Sequence, residues 1–177
     1  MADVHTPEQR RHNMRRVRGR DTEPEMLLRR GLHGRGFRYR LHQRTLPGRP
    51  DLVFPRYHAV IFVHGCFWHG HDCPLFRWPA TRREFWEKKI GDNRARDARA
   101  IEALQNEGWR VLIVWECALR GPARWSHDDI LGEAATFLMR SGECLAELSC
   151  AKQTPANAAS LASVRGNCAI GSAHSTD

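Results

Sequence analysis

Apolar and polar positions change period several times along the chain, and each change predicts an element. Thr6-Pro7-Glu8-Gln9 reads as a helix start, with Thr6 to cap, Pro7 at the first helical position and Gln9 to close a capping box. That short basic helix is predicted to end near Val17-Arg18-Gly19. Thr22-Glu23-Pro24-Glu25 is a second capping box, opening a helix through Met26, Leu27, Leu28 and Leu32 that Gly31, Gly34 and Gly36 stop. Residues 37–42 alternate with the period of a half-buried strand. After the turn Pro47-Gly48-Arg49-Pro50, residues 51–54 and 58–64 read as two strands joined by Pro55-Arg56-Tyr57. The second is continuously apolar, as a strand buried on both faces is.

A stretch dense in Cys, His and aromatics follows, from Gly65 to Pro79. Thr81-Arg82-Arg83-Glu84 is read as the cap of a long helix running to about Glu107, with Gly108 as its stop. Residues 111–115 form another buried strand, and Ser126-His127-Asp128-Asp129 opens a last helix to about Arg140. The order predicts an α/β fold, a small mixed sheet flanked by helices. From Ser141 the pattern fades into Ala, Ser, Asn and Gly, so the expected organisation is a basic segment 1–20, a domain 21–140 and a disordered tail 141–177.

Charge changes this picture at one end. Residues 1–50 hold 13 Arg, no Lys and 5 acids, a net of +8, which equals the formal charge of the whole chain of 177 residues. An Arg-rich end suits a phosphate-rich partner, because guanidinium grips phosphate in a fork and counterion release drives binding; a solvated surface is the plain alternative. No apolar run approaches the roughly 18–20 residues that span a bilayer. The start lacks the apolar stretch of a signal peptide, so the expected location is the cytoplasm, where cysteines more often bind metal or react than form disulfides.

Two constellations carry chemistry. Cys66, His71 and Cys73 sit in one loop, and Cys117 follows strand 111–115 as Cys66 follows strand 58–64. If those strands run parallel, both cysteines leave the same sheet edge, and four N/S ligands suit a closed structural zinc site. His69 and Asp72 compete as ligands, and an ordinary buried cysteine at 117 is the bland reading. Cys144, Cys150 and Cys168 are expected to take no part. In the second constellation, a hairpin brings Asp51 near residues 63–64, where a carboxylate beside a backbone carbonyl suits Mg²⁺. His64 and His69 flank it with ordinary pKa values near about 6.5, and Glu25 can reach it from its helix. Singly, Asp51 is a turn residue, His64 a core histidine and Glu25 a capping residue.

Leu46-Pro47-Gly48-Arg49-Pro50-Asp51, residues 60–69, Pro79-Ala80-Thr81-Arg82, Glu84-Phe85-Trp86, Lys89-Ile90-Gly91 and residues 108–119 together resemble the very-short-patch repair endonucleases (Vsr). The resemblance covers roughly residues 5–140. It implies a restriction-endonuclease-like core that nicks double-stranded DNA 5′ of the thymine in T:G mismatches left by deamination of 5-methylcytosine. It implies that Asp51 and the Val63 backbone carbonyl hold catalytic magnesium, that His69 is the general base, and that His64 and Glu25 complete the active site. It assigns zinc to Cys66, His71, Cys73 and Cys117, and a wedge beside the mismatch to Phe67, Trp68 and Trp86. Met14 is expected to insert from the opposite groove, and the Arg-rich segment, with Arg15 and Arg16, to clamp phosphates. Where the family carries threonine this chain has Val63: a backbone ligand tolerates that change, a hydroxyl role does not. Expected partners are mismatched DNA, and with it mismatch-repair proteins and a repair polymerase; no membrane is expected, and the chain is expected to be a monomer, on the nucleoid when bound. Two other readings compete, a restriction-type endonuclease of different specificity and a non-catalytic zinc-bearing DNA-binding module.

Overall fold

The computed structural model describes residues 8, 9, 19–140 and 142–150. The first predicted helix lies largely outside these residues, as do Met14, Arg15, Arg16 and Cys168. Helix α1 (Glu23–Gly34) leads into strands β1 (Arg40–Leu41) and β2 (Leu52–Phe54), a 3-10 turn (Pro55–Tyr57) and β3 (Ala59–His64). Helix α2 (Arg83–Asn106), strand β4 (Arg110–Trp115), the short helix α3 (Glu116–Leu119), helix α4 (His127–Met139) and strand β5 (Leu145–Leu148) complete the order.

The five strands lie in sequence order in one mixed sheet. β1, β2 and β3 pair antiparallel, whereas β3 pairs parallel with β4, and β4 with β5. Both faces are covered, which is why β3 and β4 read as unbroken apolar runs. Leu52, Phe54, Ala59, Ile61, Leu112 and Val114 face Leu28 and Leu32 of α1 and Ile130, Ala134 and Leu138 of α4. Val53, Val60, Phe62, Val111, Ile113 and Trp115 face the other way, onto Leu104 and Ile101 of α2. The two-residue period of the strands thus sorts one run of side chains into two cores. No helix among the described residues is long and apolar enough to cross a membrane.

Several boundaries differ from the expectation. Only Arg40–Leu41 of the predicted strand 37–42 pairs; Phe37 turns into the core instead. Thr22 stands at the N-cap of α1 but its side chain makes no capping bond, and α2 starts from Arg82 in a left-handed conformation rather than from Thr81. Ser126 does cap α4, accepting the Asp129 N–H at 3.1 Å. Residues 145–148, expected in the disordered tail, form β5 on the sheet, and residues 151–177 lie outside the described residues. β5 is a four-residue edge strand of half-buried and exposed positions, too short for its period to register in the sequence.

Gly31 does not stop α1. It lies inside the helix, where a Cβ would fall 2.4 Å from Cδ1 of Leu131 on α4. Alanine is the better helix former by ~1 kcal/mol, whereas overpacking costs ~1–3 kcal/mol. Gly31→Ala is therefore expected to destabilise the native protein and to stabilise a Leu131→Ala background. Denaturant unfolding of the four proteins measures this, and a change of the same sign in both backgrounds would refute the tight helix crossing.

Candidate active site and metal centre

The parallel register pairs His64 at the end of β3 with Trp115 at the end of β4. Cys66 and Cys117 each lie two residues further on, so both thiols emerge at one sheet edge, as the parallel arrangement predicts. The loop after β3 is closed by backbone bonds from His69 to Gly65 (3.2 Å) and from His71 to Cys66 (3.0 Å), which bring His71 and Cys73 back over that edge. The ligand atoms of Cys66, His71, Cys73 and Cys117 all lie within 4.8 Å of one another. His71 Nδ1 is 3.7 Å from Cys66 Sγ and 3.5 Å from Cys117 Sγ. Two vertices of a tetrahedral zinc site with ordinary bond lengths are about 3.5 Å apart, so the donor set has the size a zinc ion needs.

The chemistry of the donors agrees. Burial holds the His71 imidazole below its ordinary pKa, in its lone-pair-bearing neutral form, stacked on Trp115 with centroids 4.1 Å apart. A hydrogen bond with Cys66, and burial, push the Cys117 thiol up. Three thiols crowded at one point ionise together only when a cation sits among them. His69 and Asp72, the competing ligands, stand outside this cluster. Cys150, expected to take no part, does so through its backbone: its N–H donates to Cys117 Sγ at 3.3 Å.

On the same sheet edge a second set of groups gathers in a pocket of about 450 Å³. Asp51 enters β2 opposite the end of β3, and the Val63 N–H donates to its Oδ2 at 2.7 Å. Burial pushes the Asp51 carboxyl up to about 6, and the Glu25 carboxylate adds to the shift, against the Val63 hydrogen bond and the charges of His42 and His69. Glu25 is 2% exposed, accepts the Asp21 N–H at 2.7 Å and pairs with Arg29 at 3.2 Å. It is joined to Asp51 by His42, whose Nε2 lies 3.2 Å from Glu25 and whose Nδ1 lies 3.7 Å from Asp51. The Glu25 contact is an ion-pair approach without hydrogen-bond geometry.

His69 and His64 stack face to face, 3.9 Å apart and 4° from parallel. Burial, then the neighbouring His69, pulls His64 down to about 3, so it stays neutral at physiological pH, unlike the ordinary value the sequence predicts. His69 Nδ1 lies 2.5 Å from Asp97 Oδ2, which leaves Nε2 as the ring nitrogen open to a proton. Burial raises the Asp97 carboxyl, but the hydrogen bond from His69 and the charges of His69, His64 and Arg96 outweigh it and hold Asp97 below the usual range. Sequence reading missed both Asp97 and His42. Asp97 sits mid-helix among exposed charges of α2, 28 residues from its partner, and nothing in its local pattern marks it.

The aromatic residues of the loop that carries Cys66, His71 and Cys73 pack on one another and on α2. Phe67 lies 5.2 Å from Trp68 and 5.1 Å from Trp86, with Trp68 and Trp86 6.1 Å apart. All three are half-buried and belong to neither core, and Phe85 (46% exposed) and Trp78 (38%) extend the patch. The buried Asn93 of α2 donates to the Trp68 carbonyl at 2.8 Å and fixes the loop that carries them.

Comparison with known proteins then bears on this geometry. Residues 2–75 match the family model described as DNA mismatch endonuclease Vsr. The DNA mismatch endonuclease Vsr of Escherichia coli (strain K12) is 58% identical over 121 residues, which cover 68% of this chain and 78% of that protein. The type II nicking enzyme V.XorIIP of Xanthomonas oryzae pv. oryzae is 52% identical over 119 residues, 67% of this chain and 88% of that one. The type II nicking enzyme V.NmeAIP of Neisseria meningitidis serogroup A is 39% identical over 123 residues, 70% of this chain and 88% of that one. With a sheet edge that gathers a Cys₃His cluster, a His–Asp pair and a buried aspartate, and with relatives this similar over most of their length, the chain belongs to the DNA mismatch endonuclease Vsr family.

Proposed function

We propose that this protein nicks one strand of double-stranded DNA 5′ of the thymine in a T:G mismatch, from a restriction-endonuclease-like core that begins near residue 21 and includes β5 (Leu145–Leu148). The observation that carries the reading is the His69–Asp97 pair facing Asp51 in a pocket rimmed by arginines, next to a surface patch of tryptophans. The names of the relatives, a mismatch endonuclease and several nicking enzymes, support it.

In this reading His69 Nε2 takes the proton of the attacking water, and Asp97 stabilises the imidazolium that forms. Asp97 acts through His69 and is a positioning residue. His64 stays neutral and braces the His69 ring by stacking. Asp51 and the Val63 backbone carbonyl would hold Mg²⁺, with Glu25 behind them; a buried carboxylate beside a second carboxylate suits a hard cation. When bound, the ion polarises the scissile phosphate. A role for the Val63 backbone alone leaves the valine side chain without consequence.

Zn²⁺ on Cys66, His71, Cys73 and Cys117 is assigned a structural role, with no open position. Bound there, it would hold the loop that carries Phe67 and Trp68 toward the base stack, with Trp86 beside them. A mismatched step costs less to unstack than a matched one, so a wedge there discriminates by deformation energy. Met14, Arg15 and Arg16 of the N-terminal basic segment are assigned to gripping the duplex from its other side.

Asp51→Asn tests the site in two ways. The folded chain holds this proton to higher pH than an unfolded carboxyl at 3.8, so ionisation of Asp51 destabilises the fold as pH rises from there to about 6. The variant is expected to lose nicking and keep mismatch binding. Without added divalent cations it is expected to be more stable than the parent by on the order of 1–3 kcal/mol at pH 8, a gap that closes below about pH 4. Nicking that persists would overturn the metal assignment; a gap that does not vary with pH would overturn the burial argument.

Trp68→Ala is expected to weaken binding to T:G duplexes more than to matched duplexes in a competition assay. Equal losses on both would remove the wedge. Stripping zinc with a strong chelator is expected to lower the melting temperature or abolish the cooperative transition, since metal binding supplies folding free energy. An unchanged transition in protein verified as zinc-free would show that the cluster folds without it.

A further inference from the structure

Four arginines line the pocket that holds Asp51, His64, His69 and Asp97: Arg20, Arg44, Arg49 and Arg96. They come from three separate segments, one ahead of α1, two in the connection between β1 and β2, and one in α2. All four are exposed at the rim. Some arginines elsewhere are paired with acids, Arg29 with Asp21 and Glu25, Arg35 with Asp128, Arg83 with Glu87 and Arg120 with Glu116, and others stand singly on the surface; what sets these four apart is that they meet around one pocket. Among the described residues the side chains of Arg20, Arg44 and Arg49 have no ion pair or hydrogen bond, and Arg96 has only a 3.3 Å bond to the neutral Asn93. The two acids in the pocket do not balance them, because four guanidinium groups face two carboxylates and one of these, Asp97, is bound to His69. Like charges that converge from distant parts of a chain repel unless an anion lies between them.

A second, independent observation singles out Arg49. Its φ is +53°, in the left-handed region that side-chain-bearing residues rarely adopt, and it precedes Pro50, a position that is ordinarily extended. Gly48 beside it has φ +70°, and a Cβ there would fall 2.8 Å from Cβ of Ala100 on α2, so the loop is held down against that helix. Strain of this kind persists where the surroundings impose it, and it gathers at functional sites. Glycine is the easier residue at position 49, yet the chain places a guanidinium there, at the pocket rim.

We propose that Arg20, Arg44, Arg49 and Arg96 form a clamp for backbone phosphates of the strand to be cut, setting its position over Asp51 and His69. Guanidinium forks match phosphate oxygens in geometry and charge, and such contacts fix register without reading sequence. The clamp rests on the DNA-nicking reading and adds to it. It separates the grip on the strand, made by the arginines, from recognition of the mismatch, made by the aromatic patch.

Arg49→Gly tests the proposal without a folding penalty, because glycine adopts the left-handed conformation freely. Binding of T:G and matched duplexes would be measured from low to high salt, for the full-length parent, for Arg49→Gly and for the Arg20→Ala, Arg44→Ala, Arg49→Gly triple variant. The melting temperature of Arg49→Gly is expected to equal or exceed that of the parent. Its affinity for both duplexes is expected to fall by a similar factor, roughly three- to tenfold. The slope of log K against log salt is expected to drop by about 1 in the single variant and about 3 in the triple. The ratio of T:G to matched affinity stays unchanged. Parent-like slopes in both variants overturn the clamp while leaving the nicking reading intact. A loss confined to T:G duplexes also overturns it, by making these arginines mismatch readers. A parent protein that binds neither duplex overturns the nicking reading itself.

Discussion

The parallel pairing of β3 with β4 is the constraint on which the rest of this structure depends. Because the two strands run the same way and end in register at His64 and Trp115, the segments that follow them leave the sheet side by side. One carries Cys66, the other Cys117, and the loop back from Cys66 adds His71 and Cys73. A parallel pair needs a long crossover, and that crossover is α2. The helix therefore lies across one face of the sheet and delivers Asp97 to His69 and Asn93 to the carbonyl of Trp68 in the loop after β3. An antiparallel arrangement of the same strands would send the two cysteines to opposite ends of the sheet and leave no Cys₃His cluster.

Trp115 sits where the two centres meet. Its ring stacks on His71 of the Cys₃His cluster and meets His64 edge-on at 5.3 Å, while its indole N–H donates to Glu147 of β5 at 2.9 Å. The C-terminal strand is thereby tied to both: Glu147 fixes the tryptophan, and Cys150 donates its N–H to Cys117. A segment that reads as unstructured from its composition closes the edge of the sheet next to the Cys₃His cluster.

The electrostatics of the pocket run against stability and toward chemistry. A carboxylate pushed up by burial, a second carboxylate that is almost fully buried, a histidine too desolvated to protonate and a rim of unpaired arginines each cost the isolated protein free energy. The carboxylates and the arginines would be relieved by the ligand proposed above, a phosphate backbone with a divalent cation. Sites of this kind are recognised by strain and frustration that a ligand resolves.

Much of this was legible in the amino-acid sequence, and the reason is local. The apolar runs 58–64 and 111–115, the Ser126 cap and the stop at Gly108 depend on neighbours a few residues away, so they could be placed directly. The Cys-x4-His-x-Cys spacing held three of the four residues of the Cys₃His cluster in one loop, and Asp51 was placed beside residues 63–64 by hairpin geometry alone. What the sequence could not reveal are pairings that no local pattern encodes. Asp97 is one acid among the many charges of α2 until the helix turns it toward His69. His42 becomes a bridge between Glu25 and Asp51 only when β1 pairs with β2. Gly31 looks like a helix stop until α4 packs against it. Strand β5 exists because β4 offers it an edge, and the lowered pKa of His64 exists because the fold buries it. The sequence by itself determined which elements form and which residue types gather near the end of β3. The tertiary structure decided which of them touch, because contact, burial and charge pairing are properties of distant segments brought together.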